Sequence, residues 1–259
     1  MKNLLFILFS LSVIFLNAQE EEFYFVQITD THLGSKEHDT KTKEIIKQIN
    51  NLPYEIDFVV HTGDIFADNL SDSKEVFNYK KIIEKLECTI YIVPGNHDIH
   101  KRNFKEEYKL YNSIFDTVNT VFTNKGVTFI MIYTEPFNYA SLDMHKQQFS
   151  FLDSVLKENA DNDVIVCHHS PSVIDFYNNK EHETWNPALR LQWKITLNKY
   201  DNVIAILAGH FHRAEQYWVG DIPLYVAPSI ASYWGRQASY RIYHYKDNKL
   251  SYRTVYIEY

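Results

Sequence analysis

The chain has 259 residues, 45% hydrophobic and 23% charged, with a formal net charge of −7. A balance this ordinary excludes a disordered or collagen-like chain and a polytopic membrane protein. The acidic surplus gives no sequence-independent pull on a phosphate backbone, so no stable nucleic-acid complex is expected.

The N-terminus comes first. Lys2 precedes an apolar run from Leu4 to Leu16, broken only by Ser10 and Ser12, and Asn17-Ala18-Gln19 and three glutamates follow. The run is too short to span roughly 30 Å of hydrocarbon comfortably. It has the form of a secretory signal peptide. We expect residues 1–18 to be removed and residues 19–259 to form a single domain. The protein would then be exported, periplasmic or secreted, with no transmembrane anchor. Leu16 at position −3 leaves the cleavage bond open.

Strands and helices then alternate. Phe23 to Ile28 reads as a strand. Thr40 to Leu52 reads as a helix, with Ile45, Ile46 and Ile49 on one face. Phe58 to Val60 is the next strand, Ser71 to Leu86 a helix, and Thr89 to Val93 a strand. Val127 to Thr134 is a strand, Asp143 to Lys157 a helix and Val164 to Cys167 a strand. Pro187 to Lys199 is a helix with proline suited to its first turn, and Val203 to Ala208 a strand. Four hairpin-like runs close the chain: Gln216 to Val219, Ile222 to Ala227, Tyr240 to Tyr245 and Leu250 to Ile257. Such alternation predicts an α/β layer fold. The aromatic residues, 15% of the chain, are expected to pack core and sheet faces. Cys88 and Cys167, the only cysteines, make no disulfide framework and are expected to be buried thiols.

Five strand ends carry residues that bind metals. They are Asp30-Thr31-His32, Gly63-Asp64, Gly95-Asn96-His97-Asp98, His168-His169-Ser170-Pro171 and Gly209-His210-Phe211-His212. Loops beyond strand C-termini converge in α/β sheets. An isolated Asp-x-His or Gly-Asp has a bland reading as a surface pair or a turn, but the ordered set does not. Carboxylate and imidazole donors suit borderline divalent metals such as Mn, Fe, Zn or Co.

This ordered set resembles the calcineurin-like metallophosphoesterase superfamily. In motif style it looks most like the class III cyclic-nucleotide phosphodiesterases. The resemblance implies a four-layer α/β/β/α sandwich, here with C-terminal β-hairpins, and two divalent metal ions. It implies that Asp30, His32 and His212 bind the first metal, that Asn96, His168 and His210 bind the second, and that Asp64 bridges them. His168 is assigned over His169, with Pro171 one place later than the family's His-x-Pro spacing. His97 would protonate the leaving group, and Asp98 would orient His97; the alternative for Asp98 is a turn cap. The implied reaction is attack of a metal-bridged hydroxide on a phosphodiester or phosphomonoester, the diester being favoured.

Export points to small substrates outside the cytoplasm: nucleotides, glycerophosphodiesters or lipid head groups. Asn96, Arg102 and Arg213 are candidate substrate contacts, with Lys101 beside them. For the basic residues a solvated surface role is the competing reading. Trp185, Tyr233 and Trp234 could stack on a base or simply pack. His61 could orient a ligand. His100, His145, His182 and His244 read as ordinary polar positions. The alternative to an enzyme is a non-catalytic metal-binding or partner-binding protein that retains the fold.

Overall fold

The computed structural model describes residues 22–139, 143–178, 182 and 185–257; the expected signal at 1–18 lies outside them. Two sheets form. The first contains β1 (Phe23–Ile28), β2 (Phe58–Thr62), β3 (Thr89–Val93), β10 (Ser239–Lys246) and β11 (Lys249–Tyr256), in the order β11-β10-β1-β2-β3. The second contains β4 (Thr120–Asn124), β5 (Val127–Met131), β6 (Val164–Cys167), β7 (Val203–Ala208), β8 (Glu215–Val219) and β9 (Ile222–Val226). Its order is β4-β5-β6-β7-β9-β8. β1, β2 and β3 run parallel, as do β5, β6, β7 and β9. The C-terminal hairpins β8–β9 and β10–β11 are antiparallel, and each extends a sheet.

The layers follow from the two-residue period of a strand. Phe23, Phe25, Phe58 and Val60 point into one core with Phe129, Met131, Ile165, Cys167, Ala205 and Leu207 of the other sheet. Val26, Ile28 and Val59 face outward onto Ile45 and Ile49 of α1 (Lys36–Asn50). Ile130, Val164, Val166 and Ile206 face outward onto α4 (Met144–Glu158) and α5 (Pro187–Leu197). The fold is thus the expected α/β/β/α sandwich. Aromatic rings fill much of the space between the sheets. Phe25 stacks on Phe58 and Tyr243 at 5.1 and 4.9 Å, and Phe58 meets Phe129 edge-on at 4.8 Å.

Helix ends follow local capping. α1 begins four residues before the expected Thr40 because the Ser35 side chain accepts the His38 N–H. α2 (Ser73–Ile83) is capped by Asp72 and stops short of Leu86. Asn186 caps α5 with Pro187 behind it. Two elements were not expected, α3 (Phe104–Phe115) and the edge strand β4. Both cysteines are free; Cys167 is buried, whereas Cys88 is only half-buried. Among the described residues no helix is long and apolar enough to cross a membrane.

Candidate metal centre

The loops after β1, β2, β3, β6 and β7 meet where the two sheets join. Hydrogen bonds fasten that seam. Gln27 Nε2 donates to the Ala208 carbonyl at 2.9 Å, and the His210 N–H donates to Asp30 Oδ2 at 3.0 Å. His169 Nδ1 lies 2.7 Å from the Thr62 carbonyl. A carbonyl only accepts, so Nδ1 carries the proton and Nε2 is turned toward the centre.

Four groups of donors with ligand atoms within 4.8 Å of one another are found among the described residues; two of them, Asp30, His32 and His212, and Asp64, His169 and His210, are fully buried, and His97 joins the other two, with His32 and Asp64 and with Asp68 and His100. Asp64 links the two buried groups. Its Oδ2 is 3.7 Å from His32 Nε2 and 3.0 Å from His169 Nε2. His212 Nε2 is 3.1 Å from Asp30 Oδ1 and 3.4 Å from His32 Nε2. Asn96 Oδ1 lies 3.2 Å from His169 Nε2. His210 Nε2 is buried with no hydrogen-bond partner among the described residues. A buried orphan nitrogen beside crowded carboxylates fits a bound cation, which would satisfy these lone pairs.

The backbone is bent to aim these groups. Asp30, His32, Asp64, His210 and His212 all have positive φ, between 42 and 68°. Non-glycine residues rarely enter this region, and each costs roughly 1–2 kcal/mol. Strain of this kind concentrates at functional sites.

Charge follows the same geometry. Burial alone would raise the carboxyls of Asp30 and Asp64. His212 beside Asp30, and His169 and His97 beside Asp64, overcome that and hold both well below the usual carboxylate range. Burial takes His32 down to about 4 against the pull of Asp64 and Asp30. Burial, aided by the His169 charge, drives His210 well below its ordinary value. Burial also opposes a charge on His169, but the charge and hydrogen bond of Asp64 raise it well above its ordinary value. Asp30 and Asp64 held anionic, with His32 and His210 held neutral, match the donor state that a divalent cation requires, and His169 would release its proton on binding.

The sequence profile of calcineurin-like phosphoesterases matches residues 23–214. The chain belongs to the calcineurin-like phosphoesterase family. It is 28% identical over 211 residues to a probable glycerophosphodiester phosphodiesterase of Arcobacter nitrofigilis, covering 73% of this chain and 72% of that protein. It is 22% identical over 205 residues to the 3′,5′-cyclic adenosine monophosphate phosphodiesterase of Escherichia coli, covering 76% and 72%. In fold it resembles a dimetal phosphatase from Danio rerio, with a TM-score of 0.63 at 12% identity over 90% of this chain and 98% of that one. It also resembles a purple acid phosphatase from yellow lupin, with a TM-score of 0.67 at 16% identity over 91% and 52%.

Against this calcineurin-like frame, the structure brings together Asp30, His32, Asp64, Asn96, His210 and His212 as expected from the motifs, and it corrects His168. The His168 ring points into the helix-side core, 5.3 Å from Trp185 and 5.4 Å from Trp193. Burial lowers it to about 3, so it is a neutral core residue. His169 occupies the position expected of it.

For Asp98 the structure favours the alternative reading, a turn cap, over orientation of His97. Its carboxylate accepts the N–H groups of Ile65, Phe66 and Gly95 at 3.2, 3.0 and 2.8 Å. It therefore ties the loop after β3 to the loop after β2 and does not touch the His97 ring. Burial and the nearby Asp64 charge push it up to about 7 against those three donors. The partner of His97 Nδ1 is Asp68, at 2.5 Å, which also lies 2.6 Å from His100 Nε2. Burial would lower His97, but the Asp64 charge and the Asp68 bond outweigh it and raise the ring.

The basic candidates do not reach the centre. Arg213 is held by Asp175 at 2.6 Å and Glu215 at 2.7 Å. Arg102 is exposed outside the cavity, and Lys101 lies over the Tyr139 ring. Trp185 is buried, so it packs. Tyr233 and Trp234 do border the centre, in a cavity of about 290 Å³ with His32, Asp64, His97 and His182. His61 Nε2 bonds the Thr31 hydroxyl at 3.1 Å, one residue from two ligands.

Sequence reasoning missed Asp68 and Glu135, and it read His182, which lines the cavity, as an ordinary polar position. Glu135 is buried and accepts from the Ser170 N–H and hydroxyl at 3.1 and 2.8 Å, behind His169. A larger cleft of about 810 Å³ lies at the N-terminal ends of β2 and β3, beside Tyr54, Asp57 and Cys88. None of the ligand groups found among the described residues is there.

Proposed function

We propose that the protein is a dinuclear-metal phosphodiesterase that acts outside the cytoplasm. One observation carries the metal reading: Asp64 Oδ2 lies within 4 Å of both His32 Nε2 and His169 Nε2, one from each donor group. Asp30, His32 and His212 would hold one cation, Asn96, His169 and His210 the other, and Asp64 both. Divalent cations bound there would supply charge to phosphoryl oxygens and lower the pKa of water.

The chain's own groups complete the chemistry. His97 borders the cavity, with its ring edge-on to His32 at 4.9 Å. Asp68 holds Nδ1, which leaves Nε2 to give a proton to the departing oxygen. Asp98 keeps the loops carrying Asp64 and Asn96 in register through its three N–H bonds. The diester preference is supported by the names of the relatives, which are phosphodiesterases of cyclic nucleotides and of glycerophosphodiesters. Action outside the cytoplasm is supported by the apolar run that opens the chain.

The test uses protein loaded with Mn²⁺, initial rates on bis-p-nitrophenyl phosphate and p-nitrophenyl phosphate, and Asp64→Asn as the comparison. We expect faster diester cleavage, with Asp64→Asn losing metal and rate together. Faster monoester cleavage would make it a phosphatase. Two bound metals with no turnover of either ester would favour the binding-protein alternative. An Asp64→Asn protein with two metals and normal turnover would overturn the bridging role.

A further inference from the structure

One wall of the cavity is built from residues that the metal reading does not use. Trp234 is 60% exposed there, with its ring 5.2 Å from His212 and edge-on to His182 at 6.2 Å. A large aromatic left this open to water beside a polar centre offers apolar surface to a ligand. Its backbone is left-handed, at φ 57 and ψ 33°, two residues after Ser232 at φ 53°. For a bulky residue this conformation is an outlier, of the kind that clusters at ligand clamps.

Arg236 fixes the turn. Its Nη1 donates to the carbonyls of Phe211 and His212 at 3.3 and 3.1 Å, and its guanidinium lies 5.4 Å from the Trp234 ring. Trp234 is thereby tied to the loop that carries His210 and His212. Tyr233 stacks on His212 at 5.5 Å and meets His32 and His38 edge-on, so it backs the ligands and leaves the open face to Trp234.

His182 supplies a polar hook on the same wall. It is only 5% exposed, and its Nδ1 lies 2.6 Å from Asp175 Oδ2. Asp175 is itself held by Arg213 at 2.6 Å and by the Tyr177 N–H at 2.9 Å. The carboxylate accepts, so Nδ1–H donates and Nε2 is an acceptor. Nε2 is buried and has no hydrogen-bond partner among the described residues, and His182 lines the cavity. A ligand hydroxyl would satisfy it.

We propose that Trp234 and His182 form a nucleoside subsite: the base stacks on the indole and a sugar hydroxyl donates to His182 Nε2. The inference rests on the phosphodiesterase reading and narrows its substrate to a diester that carries an aromatic base. A glycerol head group would leave the indole face bare.

Two readouts test it. The first is equilibrium dialysis of 5′-AMP, 2′,3′-dideoxyadenosine 5′-monophosphate and glycerol 3-phosphate against the full chain. The second is the ratio of kcat/KM for 3′,5′-cyclic AMP over glycerophosphoethanolamine. We expect 5′-AMP to bind more tightly than glycerol 3-phosphate. Trp234→Ala should weaken 5′-AMP and lower the ratio through KM, by roughly five- to hundred-fold. Trp234→Phe keeps a stacking face and should recover most of the loss. His182→Phe should weaken 5′-AMP more than the dideoxy analogue.

Equal binding of 5′-AMP and glycerol 3-phosphate would overturn the subsite. So would a Trp234→Ala protein that weakens both ligands alike. If neither diester is hydrolysed, the phosphodiesterase reading fails, and the dialysis still decides whether the subsite exists.

Discussion

Placing a single methyl group at Gly95 tests how tightly the centre is built. A β-carbon there would lie 2.2 Å from Asp64 Oδ1, 2.5 Å from the Asp64 main-chain nitrogen and 2.8 Å from His169 Cδ2. Comfortable carbon contacts are roughly 3.5–4.0 Å, so the loops must part by about 1 Å. The main-chain contact means that a side-chain rotation cannot relieve the clash. Overpacking of this kind costs roughly 1–3 kcal/mol. At about 2–4 °C per kcal/mol for a chain of this size, Gly95→Ala should lower Tm by about 2–12 °C. A misplacement of about 1 Å near reacting groups costs roughly 10²-fold in rate. Gly235→Ala is the comparison. Nothing lies within 4 Å of its added carbon, and only its positive φ of 71° is disturbed, for roughly 1 kcal/mol. Calorimetry gives Tm, elemental analysis gives bound Mn²⁺, and bis-p-nitrophenyl phosphate gives the rate. A Gly95→Ala protein with unchanged Tm, metal content and rate would refute the close-packed centre.

His169→Ala should lose one equivalent of metal, whereas His168→Phe should keep both, since the His168 ring packs between Trp185 and Trp193. The opposite pattern by elemental analysis would restore His168 as the ligand. Asp68→Asn should lower the pKa of His97, because the Asp68 bond and charge help to raise it. A protonated His97 is needed to protonate the leaving group, so the alkaline limb of kcat should move to lower pH while metal content holds. An unmoved limb would show that Asp68 does not act on His97.

The strands were legible because each is a short apolar run with a turn signal at its end, and five end in a metal-type residue. The two missed elements lack such marks. β4 alternates half-buried and exposed residues at a sheet edge, and α3 buries only Tyr111. The His168 assignment went against signals already present in the sequence. In β6, Ile165 and Cys167 point between the sheets while Val164 and Val166 point to the helices. Continuing that alternation places His169 on the side of the centre and His168 on the side of the helices. His169-Ser170-Pro171 also satisfies His-x-Pro directly. Asp98 was read first from its place next to His97, with a turn cap as the alternative; it caps its own turn through the Gly95 N–H, and its other contacts are made across 32 and 33 residues with Phe66 and Ile65. Asp68, Glu135 and His182 lie in loops or a short turn, and their roles come from tertiary contacts that no local pattern encodes.

Each candidate cation site draws on both sheets. Asp30 and His32 follow β1 in the first sheet, and His212 follows β7 in the second. Asp64 and Asn96 follow β2 and β3, while His169 and His210 follow β6 and β7. Neither sheet presents a full set by itself, so a growing chain holds no complete site until His210 has been made and the sheets have docked, and not both until His212 follows. Metal capture at these sites would therefore be a late event that reports the join between two layers. The compartment in which that join closes also decides which cations are there to be captured.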